Sequence, residues 1–548
     1  MKKLVSVFVA LTMLLAMSIT AFAAENTTLT INDSEDRIYN GYKLLDLTTS
    51  LKEGEHHPAT CTGNHTDDCY NYAYTVNAKY REILQSETLA NGRNTLWQAS
   101  GKPATSAGVT DAQILEYLSY QNSDNGDVYG TMRQVADRLY ADILAKSIEA
   151  DKTGLTGTND SIEQGYWMFA DVTDLDDKKD SNSLVMVDTK GQNSLEVTPK
   201  TALPTVEKKV KDIEDSEDGT ISDNPWLDTA DHDIGDTVPF KLTATLPSNA
   251  QYYTSYTLIF HDIMCKGLSF DKDSVKVLMY DTKHKADVDT DLNDYAKDVT
   301  TYFLTETENL DDGCTFEVGC ENIYAIEGVT KDTAFVVYYE ATLKNDNDAT
   351  NGDEVVIGAA GNPNEVYLEF SNNPYAEGTG KTEHDKVLVF TYKLVVNKTD
   401  SHGHPLEGAG FTLLKKDLSG VYTPLGAELK GDDMTTFTWI GIDDGDYKLV
   451  ETTVPAGYNK MADITFSVSA EHSEIEGVPT LISLDGGVMG TGLVDTGAIT
   501  KDIVNHTGTV LPETGGTGTL LLIGGSAILV MIAAVFMITR KKMSIYED

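Results

Sequence analysis

Two lysines of this chain are predicted to point into apolar strand faces. In "PTVEKKV" Lys208 alternates with Val206 and Val210, and in "YKLVVNKTD" Lys398 shares a face with the preceding leucine and valine. Successive side chains of a strand point to opposite faces, and a lone ammonium buried on an apolar face is costly. A long lysine at an edge strand can instead extend its ammonium to water. Each of the two lysines is therefore either at an edge strand with its ammonium in water or part of a buried reactive group.

An acid and an amide are available to Lys398. "GDYKLVETTVPAGY" places Glu451 on an apolar strand face, and "KDIVN" places Asn505 on the face of Ile503. A lysine desolvated by apolar walls shifts toward its neutral, nucleophilic form, whereas a buried glutamic acid stays protonated. If the fold brings the three together, the amine can attack the carboxamide that the acid polarises, and ammonia leaves. The product would be a Lys398–Asn505 isopeptide bond promoted by Glu451.

The last block resembles the CnaB domains of Gram-positive adhesins and pilins. Its "YKLVETTVPAGY" matches the E-box of that family, and "KTD" followed by "LEGAGFTLL" matches the opening strands. The resemblance gives Lys398, Glu451 and Asn505 the same three roles as the chemistry does.

The block before it resembles the other isopeptide-bearing pilin domain, of CnaA type, in which the acid is usually an aspartate. Asp262 ends an alternating apolar face in "LIFHDIM", and Asn372 ends another in "VYLEFSNNP". The resemblance implies a Lys208–Asn372 bond promoted by Asp262, with Asn373 as the alternative because one slip of register exchanges the two. Turn formation at a strand end is the other explanation for Asp262 and Asn372.

Both ends of the chain carry targeting signals. Residues 1–23 combine two lysines, an apolar run and a small-x-small site, as in a secretory signal peptide. Near the other end, "LPETG" precedes an apolar run at 520–538, which is long enough to cross a bilayer, and a basic tail. This order resembles the sorting signal of Gram-positive surface proteins, which a sortase cleaves after the threonine. The signal consists of Leu511, Pro512, Glu513, Thr514 and Gly515.

Lys200 lies between two prolines in "VTPKTALP". Pro199 and Pro204 bias the backbone toward an extended, exposed conformation, so a linker lysine would explain the pattern. The position also resembles the pilin motif of shaft pilins, whose lysine is the nucleophile in sortase polymerisation. The resemblance implies an amide from Thr514 of one subunit to Lys200 of the next. The usual "YPKN" form is altered, and we expect no isopeptide bond within residues 24–200.

The elements around these residues indicate a mainly β chain with several domains. The sequence has 548 residues and a formal charge of −44, which excludes nucleic acid as a partner. We predict tandem immunoglobulin-like (CnaA/CnaB-type) β-sandwiches preceded by an α+β domain, in which "GTMRQVADRLYADILAKSIEAD" is a core-facing helix. The predicted divisions are 1–23 signal peptide, 24–200 α+β domain, 201–386 middle sandwich, 387–508 CnaB-type sandwich and 509–548 sorting signal.

The cysteines suggest crosslinks rather than a metal centre. "HHPATCTGNHTDDC" gathers His56, His57, Cys61, His65 and Cys69, a set that could bind zinc. In an exported chain a Cys61–Cys69 disulfide is favoured, so we predict neither a metal nor a cofactor. In "CTFEVGC" a straight strand would hold Cys314 and Cys320 on the order of 20 Å apart, so a turn must intervene or Cys265 must take one partner.

Together the motifs predict the major, shaft-forming subunit of a covalent pilus, a sortase substrate rather than an enzyme, exposed on the wall of a Gram-positive bacterium. The implied partners are further copies of the chain, a class C pilus sortase, a housekeeping sortase, minor tip and basal pilins, peptidoglycan and, as an open option, host ligands. The alternative is a monomeric wall-anchored adhesin. An anchored enzyme would rest only on the cluster around Cys61 and His65.

Overall fold

The computed structural model describes residues 26–32, 37–51, 70–92, 95–121, 132–158, 160–175, 180–190, 192, 194–199, 202–213, 226–281, 296–308, 310, 312–344, 355–475, 477–507 and 517–543. Strands predominate, and most of them belong to multi-stranded sheets. The mainly β fold class is therefore confirmed.

The N-terminal part combines two sheets with helices. Strands β3-β2-β6-β7 form one sheet with β4 beside β2, and β5-β1-β8 form the other. Helices α1, α3 and α4 contribute to the core on β2 and β6. The elements are β1 Thr27–Ile31, β2 Tyr39–Leu51, β3 Tyr70–Val76, α1 Arg81–Asn91, α2 Thr95–Ser100, α3 Asp111–Ser119, α4 Met132–Ala145, β4 Lys152–Leu155, β5 Asp160–Ile162, β6 Gly165–Asp171, β7 Leu184–Asp188 and β8 Ser194–Val197.

Helix α4 forms where the apolar spacing predicts it. Val135, Leu139 and Ile143 are buried on its inner face, because residues three and four apart lie on one side of a helix. The α+β character of this domain agrees with the sequence.

The middle part is a sandwich of two sheets. Its elements are β9 Thr205–Lys211, β10 Trp226–Leu227, β11 Thr229–Asp231, β12 Thr237–Thr245, β13 Leu258–Met264, β14 Leu268–Tyr280, β15 Lys297–Asp298, β16 Leu304–Glu306, β17 Phe316–Cys320, β18 Ala334–Leu343, β19 Asn362–Ser371, β20 Thr379–Lys381 and β21 Asp385–Phe390. One sheet has the order β10-β9-β12-β18-β14-β15, and the other β11-β21-β19-β13-β17-β16 with β20 beside β19. A single core of aromatic and branched side chains fills the space between them.

The C-terminal sandwich is smaller. Its elements are β22 Tyr392–Thr399, β23 Gly410–Lys416, β24 Tyr422–Pro424, β25 Leu429–Lys430, β26 Thr436–Ile442, β27 Gly445–Thr453, β28 Ile464–Ile475, β29 Val478–Asp485 and β30 Ala498–Val504. A sheet β26-β22-β30 faces a sheet β24-β23-β27-β28-β29, with β25 beside β23. Strands β22 and β30, the first and last of this domain, run parallel and pair directly.

The boundary between the two sandwiches differs from the prediction. The predicted division at 386/387 falls within β21, and the change of sheet occurs at Thr391, between β21 and β22. The apolar run "KVLVFTYKLVV" is continuous across both strands, so its alternation gives no sign of the break.

Helix α5, Thr517–Met543, covers the apolar run near the end of the chain. Nevertheless, no helix in the described ranges is long and apolar enough to cross a membrane. The membrane span predicted at 520–538 is thus not supported, and side chains of α5 are described only over residues 526–539. The predicted signal peptide and the "LPETG" signal lie outside the described residues.

Candidate functional sites: two buried groups of lysine, acid and asparagine

Lys208 is fully buried in the middle sandwich. It lies in β9, where it pairs with Leu242 of the central strand β12, and its exposed fraction is 0%. The ammonium lies 5.6 Å from the ring centres of Phe240 and Tyr339. The edge-strand explanation, in which Lys208 extends to water, is therefore wrong.

The Lys208 ammonium contacts both a carboxylate and a carboxamide. Lys208 Nζ donates to Asp262 Oδ2 at 2.6 Å and to Asn364 Oδ1 at 2.6 Å. A third, longer contact reaches the Glu365 carbonyl at 3.2 Å. Asp262 and Asn364 are both 0% exposed, so no water competes for these contacts.

Tyr339 completes this group. Its hydroxyl donates to Asp262 Oδ2 at 2.8 Å and accepts from Asn364 Nδ2 at 2.9 Å. The acid and the amide are thus linked on one side by the tyrosine and on the other by the lysine. Asp262 Oδ1 has no hydrogen-bond partner among the described residues.

Burial moves the two ionisable groups toward their neutral forms. It lowers the pKa of Lys208 to about 8, although the Asp262 carboxylate opposes the shift. It also raises the pKa of Asp262 above its usual value, against the opposing effects of Lys208 and Tyr339. A neutral amine beside a protonated acid is the combination that amide formation requires.

The structure does not bring Asn372 to Lys208. In the antiparallel pair of β13 and β19, Asp262 lies opposite Val366, so Asn372 is beyond the far end of β13, about 25 Å along the strand from Asn364 at 3.3 Å per residue. Asn372 Nδ2 instead donates to the Leu175 carbonyl at 2.8 Å and to the Thr379 carbonyl at 3.0 Å. The predicted Lys208–Asn372 pair is therefore wrong.

The alternative Asn373 is also not at Lys208. Its Oδ1 accepts from the backbone N–H of Tyr375 at 2.9 Å, which is the turn-forming role that asparagine often has. The residues that the sequence reasoning missed are Asn364 and Tyr339. Asn364 lies two residues before Val366 in "NPNEVYLEF" and points to the same strand face. Extending the predicted face by two residues toward the N-terminus would have added Asn364 as a candidate.

In the C-terminal sandwich, all three predicted residues come together. Lys398 and Glu451 are 0% exposed and Asn505 is 1% exposed. The parallel pair of β22 and β30 sets Lys398 beside Ile503, and the Asn505 N–H donates to the Thr399 carbonyl at 3.0 Å. Glu451 reaches the same place from β27 in the facing sheet.

Hydrogen bonds hold the acid and the amide of this second group. Asn505 Nδ2 donates to Glu451 Oε1 at 2.7 Å, and the Met461 N–H donates to Glu451 Oε2 at 2.8 Å. Asn505 Oδ1 is buried without a hydrogen-bond partner in the described part of the chain. Turning the amide by half a rotation would present Oδ1 to Glu451, which could then donate a proton to it.

The Lys398 amine is held by carbonyl groups. Its Nζ donates to Thr399 O and Ile503 O, each at 3.1 Å. Burial lowers the pKa of Lys398, and the carboxylate of Glu451 works against this shift. Lys398 is thus a desolvated amine between the strand that begins the domain and the strand that ends it.

A third buried lysine has different surroundings. Lys415 Nζ contacts Asp443 Oδ1 at 2.5 Å and Asp233 Oδ2 at 2.7 Å. Asp233 belongs to the middle domain, so these ion pairs join the two sandwiches.

The other predicted site residues are described only in part. Lys200, Thr514 and the rest of "LPETG" lie outside the described residues, as do Cys61, Cys69 and the nearby histidines. Cys265, Cys314 and Cys320 are free. The expected pairing among these three cysteines is therefore absent from the described structure. Cys320 is the last residue of β17, and Cys314 lies just before the first residue of that strand.

Part of the C-terminal domain matches a known family model. Residues 392–479 match the prealbumin-like fold domain of the SpaA family. The trypsin-resistant surface T6 protein of Streptococcus pyogenes serotype M6 is 27% identical over 301 residues, which cover 51% of this chain and 48% of that protein. The predicted resemblance to Gram-positive backbone pilins is confirmed. The chain spans about half the length of the curated relative that it matches.

Solved pilin structures superpose on the chain at low identity. The T6 backbone pilin of Streptococcus pyogenes has a TM-score of 0.47 and 15% identity, covering 89% of this chain and 100% of that one. The major pilin SpaD of Corynebacterium diphtheriae has a TM-score of 0.40 and 18% identity, covering 66% and 86%. SpaA of the same organism has a TM-score of 0.39 and 13% identity, covering 88% and 99%.

Proposed function

We propose that this protein is the backbone subunit of a covalent pilus and that isopeptide bonds stabilise it internally. The observation that carries the proposal is the repeated burial of lysine, acid and asparagine together in two successive β-sandwiches. The likeness of residues 392–479 to the SpaA prealbumin-like domain supports it. In this proposal the role is structural, and the isopeptide bonds form autocatalytically.

Each bond forms by transamidation. The neutral Nζ of Lys208 attacks Cγ of Asn364 while protonated Asp262 donates a proton to Oδ1. The amine proton then passes to Nδ2, the Cγ–Nδ2 bond breaks and ammonia leaves, while the proton on Oδ1 returns to Asp262 and regenerates the acid. Because the fold holds the groups in contact, proximity can lower the barrier by roughly 7–11 kcal/mol.

The second bond forms by the same reaction. Lys398 supplies the amine, Asn505 the carboxamide and Glu451 the acid, with loss of one further ammonia. We therefore replace the predicted Lys208–Asn372 bond by Lys208–Asn364 and keep Lys398–Asn505.

Polymerisation is proposed to use Lys200 and Thr514. A pilus-specific class C sortase would cleave after Thr514, hold its carbonyl as a thioester and transfer it to the Lys200 amine of another copy. Lys200 follows β8 and precedes β9, at the junction of the first and second domains. A linkage from the end of one copy to this junction in the next does not close, so it makes a fibre.

The remaining partners follow from the same proposal. A housekeeping sortase would attach the fibre to peptidoglycan, and minor pilins would occupy its tip and base. Host ligands are not needed for this role.

Immunoblots of wall extracts, boiled in SDS with reductant, test the proposal. We expect a high-mass ladder for the wild type and for Lys272→Ala, which removes an exposed lysine of β14, but a monomer for Lys200→Ala. A single anchored band in all three strains would overturn the proposal in favour of a monomeric wall-anchored adhesin. A ladder that persists in Lys200→Ala would assign polymerisation to another lysine.

A further inference from the structure

A second polar cluster lies on the outer face of the sheet that carries Asp262. His261 precedes Asp262 in β13, so its side chain points away from the core. Its neighbours across the sheet are Glu317 of β17 and Tyr367 of β19. Asp312 and Cys314, from the segment that leads into β17, approach the same ring. The cluster therefore combines imidazole, thiol and carboxylate groups.

The ring nitrogens of His261 face acidic side chains on both sides. Nδ1 lies 2.8 Å from Asp312 Oδ2 and 3.3 Å from Glu317 Oε1, and Nε2 lies 3.3 Å from Glu369 Oε2. The ligand atoms of His261, Asp312 and Cys314 all lie within 4.8 Å of one another. Small side-chain movements would bring them to the separations of a single coordination sphere.

His261 is an unusual residue for a sheet surface. It is only 4% exposed, yet neither ring nitrogen has a hydrogen-bond partner among the described residues. The short contacts to the carboxylates are not aligned as hydrogen bonds. A buried polar group without such a partner is costly, and a cation between Nδ1 and the oxygens would satisfy it.

The surrounding side chains hold the ring in place. Tyr367 stacks on His261 with ring centres 4.5 Å apart and planes at 5°, and its hydroxyl donates to Asp312. His384 stacks on Tyr367 with a centre distance of 4.8 Å. The imidazole and the Asp312 carboxylate are therefore positioned by the same aromatic ring.

We propose that His261, Asp312 and Cys314 bind a zinc-type divalent transition cation, with Glu317 as the fourth ligand. Imidazole nitrogen, thiolate sulfur and carboxylate oxygen are the ligands that zinc uses, whereas calcium and magnesium prefer oxygen alone. Binding converts the Cys314 thiol to a thiolate and releases its proton to solvent. Glu369 is a positioning residue, because its Oε2 lies 3.3 Å from Nε2 and, once the metal holds Nδ1, would accept a hydrogen bond from Nε2–H.

The cation would attach the segment at Asp312 and Cys314 to β13. That segment already contacts the strand, because the Thr315 N–H donates to the Asp262 carbonyl at 2.7 Å and Thr315 Oγ1 accepts from the Met264 N–H at 2.9 Å. The site would therefore stabilise the strand that carries the acid of the middle lysine group. It does not depend on pilus assembly.

Cobalt titration of the purified full chain under nitrogen tests the site. A thiolate ligand gives Co²⁺ a sulfur charge-transfer band, and we expect this band for the wild type and its loss in Cys314→Ser. Cys265→Ser, which changes another half-buried free cysteine, should keep it. The double variant Cys61→Ser/Cys69→Ser should also keep it, which separates this site from the His56–Cys69 cluster. Unchanged circular dichroism shows that each variant is folded.

Zinc alone provides the second measurement. We expect one Zn²⁺ to raise the unfolding midpoint of the wild type but not that of His261→Ala, and Glu369→Gln to weaken zinc binding by about 10–100-fold. Absence of the cobalt band in the wild type, or its persistence in Cys314→Ser, would overturn the proposal. Loss of the band with Cys61 and Cys69 would do the same.

Discussion

At Lys208, two effects act on the same ammonium in opposite directions. Burial removes its hydration, while Asp262 and Asn364 supply charge and hydrogen bonds. The net effect is a pKa lowered to about 8, so about a tenth of the amine would be neutral at pH 7 if it titrated alone. A solvated lysine has a far smaller neutral fraction, so burial itself supplies the nucleophile.

Intact-mass measurement distinguishes the two asparagines proposed for this lysine. We expect the mature wild type to be lighter than calculated by the mass of two ammonia molecules. Asn364→Ala should lack only one, because Lys208 then has no carboxamide to attack. Asn372→Ala, the matched control in the same chain segment, should still lack two. A deficit of two in Asn364→Ala would refute the revised assignment.

The sequence could predict part of this site. Alternation identified Lys208, Asp262, Lys398, Glu451 and Asn505 as inward-facing, because parity is a local property of a strand. Alternation could not choose between Asn364 and Asn372, since they lie an even number of residues apart and would point to the same face of an extended strand. Only the register between β13 and β19 distinguishes them, and register depends on pairing between distant parts of the chain.

The crosslinking rate at Lys208 should have an upper pH limit near 8. The reaction needs a neutral amine and a protonated Asp262, which means that the pair holds one proton in total. The pKa of Lys208 is lowered to about 8 and that of Asp262 is raised, so the pair holds one proton between these values and loses it above the higher one. We expect a level rate between the pKa of Asp262 and pH 8 and a fall of about tenfold per pH unit above pH 8.

The measurement uses Asn505→Ala, in which only the middle bond can form. The chain is produced unfolded, refolded by dilution at each pH, and sampled for loss of ammonia by mass spectrometry. A rate that keeps rising to pH 10 would show that deprotonation of the amine alone limits the reaction, and Asp262 would not be its proton donor.

At the scale of elements, the two proposed bonds connect different kinds of strand. Lys398–Asn505 joins the first strand of its domain, β22, to the segment directly after the last, β30. Lys208–Asn364 joins β9, the first strand of the middle domain, to β19, which is followed by β20 and β21. Only the C-terminal bond would therefore tie the first strand of its domain to the end of the last strand.

Loss of the C-terminal bond should destabilise that domain strongly. The bond closes a loop of more than a hundred residues, and by analogy with disulfides such a loop contributes about 5 kcal/mol through the unfolded state. We expect Asn505→Ala to lower the free energy of unfolding by roughly this amount in urea. Asn397→Ala, which removes a half-buried asparagine of β22 that bonds Asp502 at 3.0 Å, should lower it by only about 1 kcal/mol. Equal effects would mean that no bond closes this loop.

Elements were easier to predict than their boundaries. Helix α4 has a clear 3.6-residue period, and its buried face agrees with the sequence. The division between β21 and β22 is invisible in the sequence because one apolar pattern continues through both strands. The sheet changes at Thr391 because the following strand pairs with β26 and β30, and these partners lie far along the chain.

In the whole molecule, the proposed linkages define the path of a pulling force. Load would enter at Lys200, pass along β9 to Lys208, cross to Asn364, and continue through β21 and β22 to Lys398, Asn505 and Thr514. The elements before Lys200, β1–β8 and α1–α4, lie outside this path. This explains why an N-terminal domain without an internal bond would not weaken the fibre. It packs on the middle domain through Asn372 and through Tyr375, which bonds Arg133 and stacks on Tyr140.

The same path predicts how far one subunit can extend. Between Asn364 and the end of β21 no bond protects the chain, so residues 365–390 can be pulled straight to a length of about 90 Å. We expect single-molecule stretching between handles at Lys200→Cys and after Thr514 to show one short extension of this size. Asn364→Ala should replace it by an extension on the order of 600 Å, because the whole middle domain then enters the path. Asn372→Ala should match the wild type. A wild-type step of about 60 Å would instead place the bond at Asn372, and a long extension in the wild type would mean that no bond protects β9 to β19.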